Sequence, residues 1–376
     1  MVMSIQMLGF LVVAGLAGPL LRLPKRSGIS VPVGELLVGA LFGASGFNKI
    51  PYQDSSLKLI ATVGFALLMF TAGSHIDYRS LTRKSFEKAG WILLANLLLS
   101  ILIAIAIDHL THFPNWKLVA VISFSSSAAL VVPLIQKIAP SESKSILITQ
   151  VTLADAMAFV ALPFFTQKSG QLQAMEGALL VLIASVAIYF ALRFAKSKGW
   201  LTSTHQISKA DNLGLELRIS LALLLLVAAL ALHFHASVMI AGFTLGVALA
   251  SIGVPHRLAR QLFGVSDGFF APIYFVWLGA SINIRETFHS RDALLLALLL
   301  CIGALLVHAP SILFGQPTKN ILLASAQLGI PAAAVTLGTA NGVLNAGQAG
   351  AIMMSALVTI LFTVSAPKLT QRTELF

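Results

Sequence analysis

Cysteine is all but missing: Cys301 is the only one in 376 residues, which excludes an intrachain disulfide framework and a cysteine-rich metal site. It sits in an apolar run and reads as inert packing. Charge is scarce too. Lys, Arg, Asp and Glu make up 10% of the chain while 57% is hydrophobic, a balance that excludes an ordinary soluble domain and fits a multi-spanning membrane protein. Acidic residues are the rarer sign, 14 against 25 Lys and Arg. That surplus would suit a nucleic-acid binder if it were clustered with aromatics, but it is spread along alternate loops, where the positive-inside rule accounts for it.

What fills the chain instead is apolar runs of roughly 18 to 23 residues, the length that crosses a hydrocarbon core of about 30 Å. Thirteen are predicted: 4–21, 29–47, 56–76, 90–107, 117–136, 146–165, 175–194, 213–231, 235–252, 268–284, 291–313, 320–340 and 346–366. No room is left outside them for a soluble domain. The first run lacks a basic leader and a small-residue cleavage site, so it reads as a retained span rather than a signal peptide. Arg22, Lys25, Arg26, Arg79, Arg83, Lys84, Lys88, Lys137, Lys144, Arg193, Lys196, Lys198, Lys209, Arg257, Arg260, Lys319, Lys368 and Arg372 fall on one side. The opposite loops hold Lys49, Lys58, Lys117, Lys168, Arg285 and Arg291. The expected topology is N-terminus outside and C-terminus cytoplasmic, in the cell inner membrane.

The chain also echoes itself. FTAGSHID (70–77) and VWLGASIN (276–283) share Gly, a small residue, Ile and Asp or Asn, with Gly73 and Gly279 offset by 206 residues. The same offset carries runs 4, 5 and 6 onto runs 11, 12 and 13. The charge-derived topology makes the two halves inverted, repeats of about 1–165 and 213–366 joined by a linker helix at 175–194, which is a transporter architecture. Two interruptions pair as well: SFSSSAALVVP (123–133), where serines and Pro133 weaken the helix, and QLGIPAAAVTLG (327–338), with Gly329 and Pro331. Broken backbone survives in lipid only where protein buries it or water reaches it, so paired breaks point to a midplane ion site.

VGELLVGALFG (33–43), LLMFTAGSHID (67–77) and APIYFVWLGASIN (271–283) resemble, in order and spacing, signatures of the monovalent cation/proton antiporter superfamily, in particular its bacterial Kef-type and Nap-type branch. The resemblance covers almost the whole chain, although His75 stands where that family usually has an acid. It implies an all-α fold of thirteen transmembrane helices in two inverted six-helix repeats with crossed broken helices. Scaffold and dimer helices would lie at about 1–76 and 213–284, and ion-translocating core helices at about 90–165 and 291–366. It implies Na⁺/H⁺ exchange without a cofactor, by a homodimer. The family's reactive pair in helix 6 corresponds to Ala154-Asp155, with the cation- or proton-binding second member kept and the first absent. The lysine that partners the first acid in many members corresponds to Ala304, so both partners are missing together. His308, one turn beyond on the same face, is positioned to take over part of that role. Kef-type relatives append a cytosolic nucleotide-binding domain; this chain ends at Phe376, so such gating would need a separate regulatory subunit.

Asp155 lies in TLADAMAFVALPFF (152–165), mid-run, where a charge costs about 2.5 to 3.5 kcal/mol on insertion scales and must face protein or water. Desolvation penalises the bare anion, and either a proton or a cation relieves it. One carboxylate with no second titrating acid favours one proton per monovalent cation, hence electroneutral exchange. Thr152, one turn before Asp155, and Ser126 or Ser127 at the first break supply hard oxygen donors that suit Na⁺, K⁺ or Li⁺. The remaining readings are K⁺/H⁺ antiport and a homologue that conducts or senses without exchanging. An intramembrane aspartyl protease would need two facing carboxylates, and Asp155 is the single deep candidate. Asp267 is expected to cap the start of run 10.

Overall fold

The structure, a computed structural model, describes residues 5–22, 31–74, 83–135, 139, 141–167, 171–200, 206–208, 213–234, 236–253 and 256–373. His75 to Asp77 of the first echo, and the loop residues Lys25, Arg26, Arg79, Lys137, Lys168 and Lys209, lie outside them. Every regular element among the described residues is helical: α1 (Ile5–Arg22), α2 (Val31–Phe42), α3 (Ser55–Ser74), α4 (Arg83–Thr111), α5 (Trp116–Phe124), α6 (Ala128–Ile135), α7 (Glu142–Phe165), α8 (Gln171–Ser197), α9 (Leu215–His233), α10 (Val238–Ile252), α11 (His256–Val265), α12 (Ala271–Ser281), α13 (Ile284–His289), α14 (Arg291–His308), α15 (Thr318–Ala324), α16 (Gly329–Ala340) and α17 (Ala346–Thr373). A helix satisfies all its interior backbone groups within one segment, the condition hydrocarbon imposes. Nine helical stretches are long and apolar enough to cross a membrane, and three shorter apolar helices, 5–21, 31–42 and 238–252, accompany them among the described residues.

The chain divides into two compact units, 54–78 with 169–274, and 1–53 with 79–168 and 275–376. In the first unit, α3 lies against α10 so closely that Gly73, Gly242 and Gly246 each face a partner backbone carbonyl. A π-helical turn, Ser266–Phe270, joins α11 to α12, and Ser266 meets Thr71 of α3, hydroxyl to hydroxyl at 3.1 Å. Helical backbone therefore continues through 267, and Asp267 lies inside it rather than capping a helix start there.

The second unit holds both interrupted segments. At the first, Ser125 adopts extended backbone (φ −66°, ψ 157°) after α5, and its hydroxyl turns back to Ile122 O at 2.7 Å. Such local bonding competes with the helix ladder. Helix resumes at Ala128, with Ser127 O accepting from Leu130 N and Val131 N. The second break falls at 325–328, between α15 and α16, ahead of the expected Gly329 and Pro331. Both of those residues belong to the first turn of α16, where an amide has no intrahelical acceptor and proline costs nothing.

In the same unit, α2 and α12 touch backbone to backbone: a methyl group on Gly39 would strike Val276 O, and one on Gly279 would strike Leu36 O. After α2 the chain folds into a tight turn that returns amides to the helix end. Phe47 N donates to Leu41 O, Lys49 N and Ile50 N to Phe42 O, and Asn48 N to Gly43 O, at 2.8 to 3.0 Å.

Candidate ion-binding site

Helix α7 carries the central residue. Its start is set by Ser141, whose side chain accepts from Lys144 N, and by Glu142, which suits the positive end of the helix dipole. Its other end is held by two asparagine amides: Asn115 Nδ2 donates to Phe165 O at 2.8 Å and Asn341 Nδ2 to Thr166 O at 2.9 Å. Between these anchors α7 runs unbroken and brings Asp155 to the first interruption.

There the Asp155 carboxylate meets a helix N-terminus. Oδ2 accepts from Ala128 N, the first amide of α6, at 3.2 Å, so the positive end of that short helix faces the negative group. Oδ1 is buried with no hydrogen-bond partner. One half of the carboxylate is thus held by a backbone donor and the other is buried without one. Asp155 and Thr152 are both buried, three residues apart on one face of α7.

The two breaks also hold each other. Ser126 Oγ donates to Ala324 O, the last carbonyl of α15, at 2.7 Å. In the reverse direction Gln327 Nε2 donates to Ser123 O at 3.3 Å and to Ser125 O at 3.1 Å. Ser126 and Ser127 are buried beside Ala128, with Ser127 supplying the carbonyl that starts α6. The structure therefore brings together Asp155, the 125–128 break and the 325–328 break.

The other candidates fall differently. Ala154 packs in an apolar cluster with Leu93 and Phe124, so the position before Asp155 is filled by hydrocarbon contacts. Ala304 is fully buried, and its carbonyl bonds His308 Nδ1 at 2.8 Å. His308 Nε2 is buried without a partner, and no hydrogen bond joins this ring to Asp155, whose partner is Ala128. Gly329 lies against the Phe159 ring, and Pro331 is buried in the first turn of α16.

Reading the sequence missed three amides. Gln327 is one. The others are Asn96 of α4 and Gln150 of α7, both fully buried: with its amide turned to satisfy its surroundings, Asn96 donates to Ile92 O at 3.1 Å and Val307 O at 2.8 Å and accepts from Gln150 Nε2 at 3.2 Å. Val307 O has room for this donor because Pro310, three residues on, carries no N–H. The available signal was a polar side chain inside an apolar run, which in a membrane segment marks function or a helix contact.

A model of the family described as sodium/hydrogen exchanger, transmembrane, matches residues 10–370. A putative Na⁺/H⁺ antiporter, YjbQ, of Bacillus subtilis is 26% identical over 390 residues, covering 97% of this chain; the chain spans 62% of that protein's length. A Na⁺/H⁺ antiporter of Enterococcus hirae is 22% identical over 76% of this chain and 74% of its own. Among solved structures, the sodium proton antiporter MjNhaP1 from Methanocaldococcus jannaschii at pH 8 superposes with a TM-score of 0.64 at 16% identity, covering 96% of this chain and 97% of that one. At that identity the likeness concerns the fold, and it agrees with an all-helical architecture. With a family match that spans nearly its whole length, the chain belongs to the transmembrane sodium/hydrogen exchangers.

Proposed function

We propose that the chain is a secondary antiporter of the cell inner membrane that exchanges a monovalent cation, Na⁺ in first place, for a proton. The observation that carries this reading is the Asp155 carboxylate, with Oδ2 on the α6 N-terminus and Oδ1 buried and unpartnered. The names of the relatives, all Na⁺/H⁺ antiporters, support the same substrates.

A buried carboxylate half-satisfied by one amide is penalised as a bare anion, and H⁺ and Na⁺ compete to neutralise it. Thr152, Ser126 and Ser127 would add hydroxyl oxygens, which are hard ligands matched to an alkali cation. Ser126 spends its proton on Ala324 O, leaving its lone pairs for the ion. Since Ala154 and Ala304 provide no second charge, one cation exchanges for one proton and no net charge moves. His308 serves as an accessory polar group at the end of α14, and Gly329 with Pro331 sets the start of α16. The wider frame of the proposal is thirteen spans in two inverted repeats, with dimer and scaffold helices within 1–76 and 213–284 and the mobile core within 90–165 and 291–366. The reciprocal bracing of the two breaks supports their equivalence.

The test is flux. Purified protein in liposomes should collapse an imposed pH gradient when Na⁺ is added, at the same rate whether or not a membrane potential is clamped, with K⁺ and Li⁺ as parallel arms. Asp155→Asn keeps the size of the side chain and should abolish the exchange. If that variant exchanges like the wild type, the proposal is wrong; a current accompanying flux would refute its electroneutral form.

A further inference from the structure

The two interrupted segments leave helix C-terminal carbonyls in the interior, where each needs a donor. Among them are Ser123 O in the last turn of α5, Ser125 O just after it, and Ala324 O at the end of α15. For these three carbonyls the donors come from the opposite segment and none is charged: Gln327 serves Ser123 O and Ser125 O, and Ser126 serves Ala324 O. A carboxamide is suited to the first task because one nitrogen carries two N–H groups, enough for two carbonyls two residues apart. A lysine could reach the same oxygens, but would fix a positive charge near the carboxylate and compete with cation and proton alike.

We infer that Gln327 is a positioning residue for exchange: its amide locks the end of α5 against the second break, so that Ala128 N stays aimed at Asp155, and does so without adding charge. The inference rests on the antiport reading above. The chain of contacts is short. Gln327 holds Ser125 O, Ser125 opens the bend, and three residues later Ala128 N meets Asp155 Oδ2. Loosening the first contact frees the bend to drift and takes the helix N-terminus off the carboxylate. Gln327 is itself buried and touches carbonyls, so its effect on the ion passes through the backbone.

Two substitutions separate bracing from mere filling of space. Gln327→Met has similar length and a flexible chain that fills irregular gaps, but no donor. Gln327→Lys keeps donors and adds a charge. Each would be purified, checked for monodisperse elution and apparent melting temperature, and assayed in liposomes for Na⁺ half-saturation and maximal rate. Gln327→Met is expected to raise the half-saturating Na⁺ at least fivefold, with a smaller change in maximal rate. Gln327→Lys is expected to melt near the wild type yet to need at least tenfold more Na⁺. A purely structural glutamine predicts the reverse for lysine, recovery of stability and Na⁺ response together. Either variant, folded and with wild-type half-saturation, overturns the inference; should the methionine variant fail to fold, the lysine variant decides alone. Wild-type behaviour here with an inactive Asp155→Asn refutes only the role of Gln327, whereas an active Asp155→Asn refutes the antiport reading itself.

Discussion

Removing the Asn96 amide by Asn96→Leu strands two buried groups, Val307 O and Gln150 Nε2, because Asn96 serves both. Removing Gln150 by Gln150→Leu strands one, the Asn96 oxygen. In the double variant only Val307 O remains without its partner. Taking about 1 kcal/mol per stranded group, the low end for buried polar atoms, the single changes cost about 2 and about 1 kcal/mol, and the double about 1 kcal/mol. Independent sites would have summed to about 3. The coupling is therefore about 2 kcal/mol in favour of the double, at the upper side of what contacting residues show and above the average of about 0.6 kcal/mol for hydrogen bonds between membrane helices, because stranding adds to loss of the bond. The assay is a double-mutant cycle on reversible unfolding in mixed micelles. Additive effects would refute the reasoning and with it the placement of Gln150 against Asn96.

Gly39→Ala should lower the apparent melting temperature, by an overpacking cost of about 1 to 3 kcal/mol, since its methyl meets the Val276 carbonyl and backbone cannot rotate away. Gly90→Ala, with open space around it, should leave stability unchanged or raise it by up to about 1 kcal/mol, and thermal unfolding of the two side by side checks the contrast. Asn341→Ala removes the donor to Thr166 O and should cost about 1 kcal/mol, read in the same unfolding assay. Glu142→Gln breaks exposed pairs with Lys84 at 3.3 Å and Lys88 at 2.7 Å and removes a charge from the start of α7, so its melting curve should fall below the wild type by no more than about 1 kcal/mol at low salt and overlay it at high salt.

Apolar run length located three of the long helices: run 146–165 lies within α7, run 90–107 within α4, and run 175–194 within α8. The carboxylate of the candidate site was legible for the same reason, because a charge inside such a run is costly enough to need an explanation. The second break was read from the wrong residue. Pro331 looks like a breaker, yet proline is tolerated in a first helical turn, so it marks where α16 begins; the break ahead of it depends on Gln327 reaching α5, a contact across some 200 residues that local sequence does not encode. Asp155 likewise takes its donor from a backbone amide, Ala128 N, and main-chain atoms leave no trace in residue identity. The π-helical turn at Ser266–Phe270 escaped because one extra residue per turn alters no composition.

Helix α2 ends at Phe42, five residues before the apolar run 29–47 does. A helix that stops inside an apolar run normally has to draw headgroups and water inward to serve its final carbonyls. Here the returning turn already serves those of Leu41, Phe42 and Gly43. These last carbonyls therefore need neither water nor a headgroup to supply their donors.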